Sequence, residues 1–256
     1  MLDTVNQKIY NENYSAENVR LDLQAAPKYT RRLSELRFSW LHQYAEQADV
    51  LDVGCGAGDY LIPILDQVRS AVGLDFSSTM LQGFRENLET LPKHLQLLEA
   101  DAREIPLDDQ SIDFAFSYTA LYHIPEVEKA IQEINRVLRP GGHAVLEFGN
   151  LHSINTIICN YNHKHWGWAK PYHISYRQML GLLRENHLQI IDRRSLQLFN
   201  NYGAPRRLCY LYPLASPYWR TLLGWKIGGF LADEWLSGCW PLRHFAFRHF
   251  FVVRKP

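Results

Sequence analysis

The chain of 256 residues has no excess of either charge: Lys and Arg number 27, and so do Asp and Glu. A net charge of zero leaves no whole-molecule field to draw in nucleic acid or another polyanion. Cysteine is scarce too. Cys55, Cys159, Cys209 and Cys239 are too few and too unevenly spaced for a disulfide framework or a paired metal-ligand motif, so a reducing compartment, the cytoplasm, is expected. No apolar run reaches the ~18 residues that a membrane span needs. The opening MLDTVNQKIYNENY lacks both the basic start and the apolar stretch of a secretory signal. Internal repeats and low-complexity tracts are likewise missing. These absences leave one α/β domain with additions, long enough to bury a sizeable core.

What the chain does contain is a regular alternation of strands and helices. Short β-rich apolar runs predict strands at 49–53, 71–75, 95–99, 112–117 and 143–148, with helices at 59–69, 78–90 and 127–138 between them. The last helix carries Ala130, Ile131, Ile134, Val137 and Leu138 on one face, and Pro140-Gly141-Gly142 should stop it. Leu33, Leu36, Leu41 and Tyr44 predict a further helix over 28–47, placed to cross the mouth of a ligand site. Alternation of this kind implies parallel strands with helices on both faces, and ligands bound outside the carboxyl ends of the strands.

The most informative stretch is DVLDVGCGAGDYLIPILDQVRSAVGLD, residues 49–75: strand, glycine loop, helix, and a second strand ending on Asp75. Gly54, Gly56 and Gly58 allow a sharp turn and close approach to a ligand, and the following helix offers its amide donors. Asp75 lies 17 residues after Gly58, near the spacing of ~20 at which an acidic residue meets ribose hydroxyls. The dinucleotide fingerprint G-x-G-x-x-G is not met, because position 59 is Asp. Asp52 at the strand end would repel a pyrophosphate and attract an ammonium group.

This loop resembles the first motif of the class I S-adenosylmethionine-dependent methyltransferases. VGLDFSSTML (72–81), LLEADAREIPLDDQSIDFAFSYTALYHI (97–124) and INRVLRPGGHAVLEF (134–148) are similar to the motifs that follow it, in family order, over roughly residues 28–200. The resemblance implies a doubly wound, Rossmann-like, mostly parallel seven-stranded sheet whose last strand runs antiparallel between the fifth and sixth. It implies that Asp52, Gly54, Cys55, Gly56 and Gly58 cradle the methionine part of the cofactor, with Ser117 and Tyr118 near it. Asp75 would hold the ribose, Phe76 would lie beside the adenine, and Asp101 and Ala102 would read its edge. The cofactor would be S-adenosylmethionine and the product S-adenosylhomocysteine. Residues 1–48 would then form a helical cap, 49–150 the cofactor-binding core, 151–176 a lid and 177–256 a C-terminal half with an insertion at 200–243.

A small-molecule acceptor is expected, such as a sugar, a lipid intermediate or a natural-product precursor. FSYTALYH after the fourth strand lacks the Asn/Asp-Pro-Pro-aromatic signature of amino-group methylation of adenine or glutamine, and no basic stripe with interleaved aromatics marks a nucleic-acid surface. A general base is needed most for a hydroxyl acceptor, and His123 or His152 could serve. His152, His163, His165 and His173 do not have zinc-enzyme spacing, so no metal is expected. Trp166, Trp168 and Tyr172 either line the acceptor pocket or pin the lid to the sheet.

Further on, 175–186 reads as a helix, 188–198 as strand six and 244–253 as the final strand, while Trp219, Leu222, Leu223, Ile227, Phe230 and Leu231 follow helical spacing. Gly224, Gly228 and Gly229 weaken a membrane-surface role for that stripe. From Asn201 onward, eight Lys or Arg stand against two acidic residues, which suits either an anionic ligand or a solvated face. Two other readings stay open at this point: an NAD-dependent Rossmann oxidoreductase, and a non-catalytic relative that binds a partner through the insertion.

Overall fold

The computed structural model describes residues 4–13, 28–198, 225–227 and 230–256. In chain order it runs α1 (Thr4–Asn13), α2 (Lys28–Tyr44), β1 (Asp49–Val53), β2 (Ser70–Asp75), α3 (Ser78–Glu86), β3 (Leu95–Glu99), β4 (Ile112–Ser117), α4 (Val127–Val137) and β5 (Leu138–Gly149). It continues with α5 (Ile154–Trp166), α6 (Tyr176–Glu185), β6 (Gln189–Leu196), β7 (Lys226–Ile227), β8 (Phe230–Leu231), α7 (Ala232–Gly238) and β9 (Arg248–Arg254). Seven strands form one sheet in the order β3-β2-β1-β4-β5-β9-β6. β1 to β5 pair in parallel, and β9 lies antiparallel between β5 and β6, as the resemblance implied.

Each strand divides its side chains between two cores because successive residues point to opposite faces. On one face Val50, Phe114, Phe116, Phe250 and Val252 pack with Leu33, Trp40 and Leu41 of α2 and Phe84 of α3. On the other, Leu51, Val53, Leu146, Phe251 and Val253 meet Ile131 and Ile134 of α4 and Met179 and Leu183 of α6. The stripe on α4 at 127, 130, 131, 134 and 137 is wholly buried, each large apolar side chain contributing about 1.5–3 kcal/mol. A charge placed at Ile134 would break that seam.

Several boundaries differ from the sequence reading. The expected helix at 59–69 is a 3-10 segment, Ile62–Gln67, with Pro63 in its first turn, where proline is tolerated; in a helix begun at 59 it would have stood one turn inside with no N–H to give. α3 stops at Glu86, where Asn87 caps the helix and turns its side chain to the Ala57 carbonyl at 3.0 Å. α4 ends before Pro140: Leu138 is already extended and pairs with Ile112, so β5 begins there. β9 starts at Arg248 because Leu242–Phe245 form a 3-10 turn. The helical spacing expected over 219–231 is overturned in the part described here. Lys226 and Ile227 pair antiparallel with Leu231 and Phe230, an extended arrangement and not a helical one; 219–224 and 228–229 lie outside the described residues.

The helix crossing the ligand mouth is α1, not α2. Gln7 donates to the Phe76 carbonyl at 2.8 Å and Asn6 to the His123 carbonyl at 3.2 Å, on the loops after β2 and β4. α2 instead lies flat on the sheet, burying Leu33, Leu36, Trp40 and Leu41. Among the described residues no helix is long and apolar enough to cross a membrane.

Candidate functional site

The carboxyl ends of β1, β2 and β4 surround a cleft lined by Gly54, Gly56, Asp75, Phe76, Asp101, Ala102, Arg103, Thr119, Ala120 and His123, with Tyr10 of α1 over it. Gly54 is needed for packing: at φ +79°, a Cβ there would come within 2.2 Å of the Ala120 Cβ, so only glycine lets the loops after β1 and β4 touch. Gly56, at φ +53°, has no atom within 4 Å of where its Cβ would stand. It leaves an open cradle in the cleft wall.

Asp75 closes that cradle. Its carboxylate accepts from the Gly56 N–H and the Ser77 N–H, both at 2.9 Å, which fixes the glycine loop and the start of α3 to one side chain. Burial pushes its pKa up to about 6, opposed by these backbone donors. Each carboxylate oxygen keeps a lone pair for a further donor. Asp101 is held by Arg103, whose Nη2 lies 2.6 Å from Oδ2; burial works to raise its pKa, but the Arg103 bonds leave it lowered.

The other sequence candidates are placed differently. Asp52 is buried and not part of the cleft lining; desolvation, then the nearby Asp75 and Asp59 charges, raise its pKa well above the usual carboxylate value. Cys55 is buried against Gly73, its thiol pushed up by burial. Gly58 packs on Ile62 and Phe84. Ser117 gives its hydroxyl to the Val53 carbonyl at 2.8 Å, and Tyr118 gives its own to the Arg37 carbonyl at 3.2 Å inside an aromatic cluster with Tyr60, Phe116 and Phe250. These two hold the β4 loop from beneath rather than line the cleft. His152 is exposed at the start of the lid, away from the cleft.

Through Tyr10, Thr119 and His123 the cleft adjoins a second cavity of about 420 Å³. Its wall includes Arg37, Asp59, Tyr60, Tyr122, Trp168, His173, Phe247 and Arg248. Beneath it, Glu147 of β5 is fully buried and ion-paired to Arg37 at 2.6 Å and to Arg248. Burial works to raise the Glu147 pKa, yet the two guanidinium groups hold it below the ordinary value. Glu147 also accepts from the Thr119 N–H at 3.2 Å, so the ion triad positions the loop shared by both spaces. Sequence reading missed this triad. The signal was available in two charges set within apolar strands, Glu147 in AVLEFG and Arg248 in HFAFRHFFVV.

The segment 151–176, expected as a lid, is partly helical: α5 supplies Asn155 and Cys159 to the cavity, and the chain returns past Trp168 to an isolated pairing of Asn150 with Ile174. Trp168 lines the cavity, whereas Trp166 is 56 % exposed and is not part of the wall. Tyr172 pins the lid through its N–H to the Tyr122 carbonyl at 2.7 Å. Among the described residues no cluster of His, Cys, Asp or Glu could hold a metal ion. Tyr14, Cys209 and Arg207 lie outside the described residues.

Residues 51–146 match a family described as "Methyltransferase domain". Over 106 residues the chain is 37 % identical to a demethylmenaquinone methyltransferase from Staphylococcus carnosus, a match covering 40 % of this chain and 44 % of that protein. The chain thus spans less than half the length of that curated relative. Solved structures share the fold over nearly the whole chain. An S-adenosylmethionine dependent methyltransferase from Mesorhizobium loti aligns over 91 % of this chain and 100 % of its own at TM-score 0.61 and 17 % identity. The [4+2]-cyclase SpnF aligns over 98 % and 93 % at TM-score 0.59, also with 17 % identity.

Proposed function

We propose that this chain is a class I S-adenosylmethionine-dependent methyltransferase and transfers a methyl group to a small-molecule acceptor held in the cavity between the β-sheet ends and the segment 151–176. The observation that carries the reading is the pairing of Asp75 with the open Gly56 cradle: an anchored carboxylate beside a glycine gap, at the spacing that suits a nucleoside. Gly54 and Gly56 would receive the methionine part, Asp75 the ribose, and Phe76, Asp101 and Ala102 the base. S-adenosylmethionine supplies a methyl already activated as a sulfonium. The protein's share is then to orient the acceptor and keep water out, since proximity supplies much of the acceleration.

His123 stands where cleft and cavity meet. Burial lowers its pKa to about 4, so the ring is neutral at ordinary pH and a weak base, better suited to orienting an acceptor group than to taking its proton. The demethylmenaquinone methyltransferase likeness, confined to the core, is compatible with a small-molecule acceptor and does not choose among them. Calorimetry tests the assignment. S-adenosylhomocysteine should bind and NAD should not; preferential binding of NAD would overturn it.

A further inference from the structure

The wall of the second cavity holds a guanidinium with one open edge. Arg248 Nε donates to Gln197 Oε1 at 2.6 Å, and Nη1 donates to the Tyr122 hydroxyl at 3.4 Å and to Glu147 Oε1. Among the described residues nothing accepts from Nη2. That nitrogen is not sealed in: the side chain is 14 % exposed, and Nη2 is not one of the buried polar atoms that lack a partner. Arg37 differs, because its Nη1 and Nη2 are taken by Tyr60 and Glu147 and its unbonded Nε is buried. The aim of the open edge follows from its neighbours. The Arg248 guanidinium lies over the rings of Tyr122 at 5.6 Å and Phe247 at 5.5 Å, and these rings, Gln197 and Arg248 itself all belong to the wall of the same cavity.

Charge favours an anion at that edge. Arg37 and Arg248 share one carboxylate, Glu147, whose Oε2 is held by Arg37 and the Thr119 N–H and whose Oε1 is held by Arg248, so the triad carries one positive charge in excess. The imidazoles add none: burial chiefly, and the Arg248 charge in smaller part, lower the pKa of His123 to about 4 and of His173 to about 3. Asp59 also belongs to the wall, just past the glycine loop, where its charge acts on Asp52, and neither arginine donates to it. The free hydrogens narrow the anion further. A guanidinium grips a phosphate through parallel N–H bonds from two nitrogens, and here Nε and Nη1 are already spent. One nitrogen and one excess charge match a carboxylate. Tyr60, Tyr122, Trp168 and Phe247 around it suit a ring-sized apolar body.

Resting on the methyltransferase reading above, we propose that the acceptor is an aromatic monocarboxylate, its carboxylate bound by Arg248 Nη2 and its reacting end turned toward Thr119 and His123. Thr119 and His123 border both the cavity and the cofactor cleft, whereas Arg248 borders the cavity and not the cleft, so the carboxylate is held away from the cofactor. Arg248 is thereby an acceptor-binding residue as well as a member of the ion triad.

The test is calorimetry on the protein loaded with S-adenosylhomocysteine, with para-hydroxybenzoate and para-hydroxycinnamate as acids of two lengths beside their uncharged amides and phenyl phosphate. At least one acid should bind, and its amide should bind roughly tenfold to a hundredfold more weakly, the loss of a hydrogen bond between charged groups. Phenyl phosphate should bind no better than the acid. Arg248→Gln should bring acid and amide to the same affinity, and Arg248→Lys, which restores the charge, should recover part of the difference. Binding of S-adenosylhomocysteine shows that each variant is folded, since Glu147 keeps Arg37 and the Thr119 N–H. Should a variant not fold, acid against amide in the wild type still decides. Amide binding equal to the acid, neither acid binding to the loaded protein, phenyl phosphate binding tighter than both acids, or a difference that survives Arg248→Gln would overturn the proposal. Failure of S-adenosylhomocysteine to bind the wild type would instead remove the methyltransferase reading on which it stands.

Discussion

Arg37 of α2 and Glu147 of β5, 110 residues apart in sequence, meet in a buried ion pair 2.6 Å long that neither surface water nor salt can screen. The same carboxylate takes Arg248 and the Thr119 N–H, so one side chain fastens α2, β9 and the loop after β4.

Removing that carboxylate should be costly. Glu147→Leu leaves two guanidinium groups buried without their counter-charge, and the expected loss is about 3–5 kcal/mol in urea unfolding. A variant within about 1 kcal/mol of wild type would mean that the arginines find other partners.

Asp75 should set cofactor affinity and its pH dependence. Asp75→Ala should weaken S-adenosylhomocysteine by about 1–3 kcal/mol in calorimetry. In the wild type the affinity should fall as pH drops below about 6, where the carboxyl takes a proton and loses an acceptor lone pair. That dependence should vanish in Asp75→Asn. A flat wild-type profile would place the ribose elsewhere.

Stability should decline in mild acid. Burial lowers the pKa values of His123, His173 and His249 to about 4, 3 and 3, against an ordinary 6.5. The fold keeps them neutral while the unfolded chain takes up protons below 6.5, so their contribution is whole above that pH and lost as pH falls toward 3. Asp75, raised to about 6 from 3.8, works in the opposite sense over its narrower window. Urea midpoints should therefore fall between about pH 7.5 and about pH 5, and His249→Phe should flatten the fall. An unchanged slope in that variant would show that His249 is not held neutral.

The two lid tryptophans should separate. Trp168 lines the acceptor cavity and Trp166 faces outward, so Trp168→Ala should lose methyl transfer while Trp166→Ala retains it, both keeping near-native S-adenosylhomocysteine affinity. Equal losses in both would make the lid a structural cover.

The core strands were readable because hydrophobic runs bounded by turn residues are local: β1, β3 and β4 fall on the expected residues. So was Asp75 at the end of β2, whose place follows from strand length alone. The rest depended on distant partners. Ser117 and Tyr118 sit at the expected strand end, but whether they face the cleft turns on packing against Val53 and Arg37. His173 was one histidine among several in the segment 151–176; its burial against Thr156, Tyr122 and Phe247, where His152 is exposed, depends on tertiary contacts. α1 carried no apolar stripe to announce it, since it is fixed by polar side chains reaching backbone carbonyls.

That helix bears on timing. The cleft under Tyr10 holds about 140 Å³, below the ~300 Å³ from which small-molecule sites usually begin. Tyr10 packs edge-on against both Phe76 and His123, and α1 is tied to the loops on either side. A larger ligand entering the cleft would have to displace Tyr10, and with it the bonds of Gln7 to the Phe76 carbonyl and of Asn6 to the His123 and Lys170 carbonyls. Its entry would be timed by the release of three side-chain hydrogen bonds and no apolar seam.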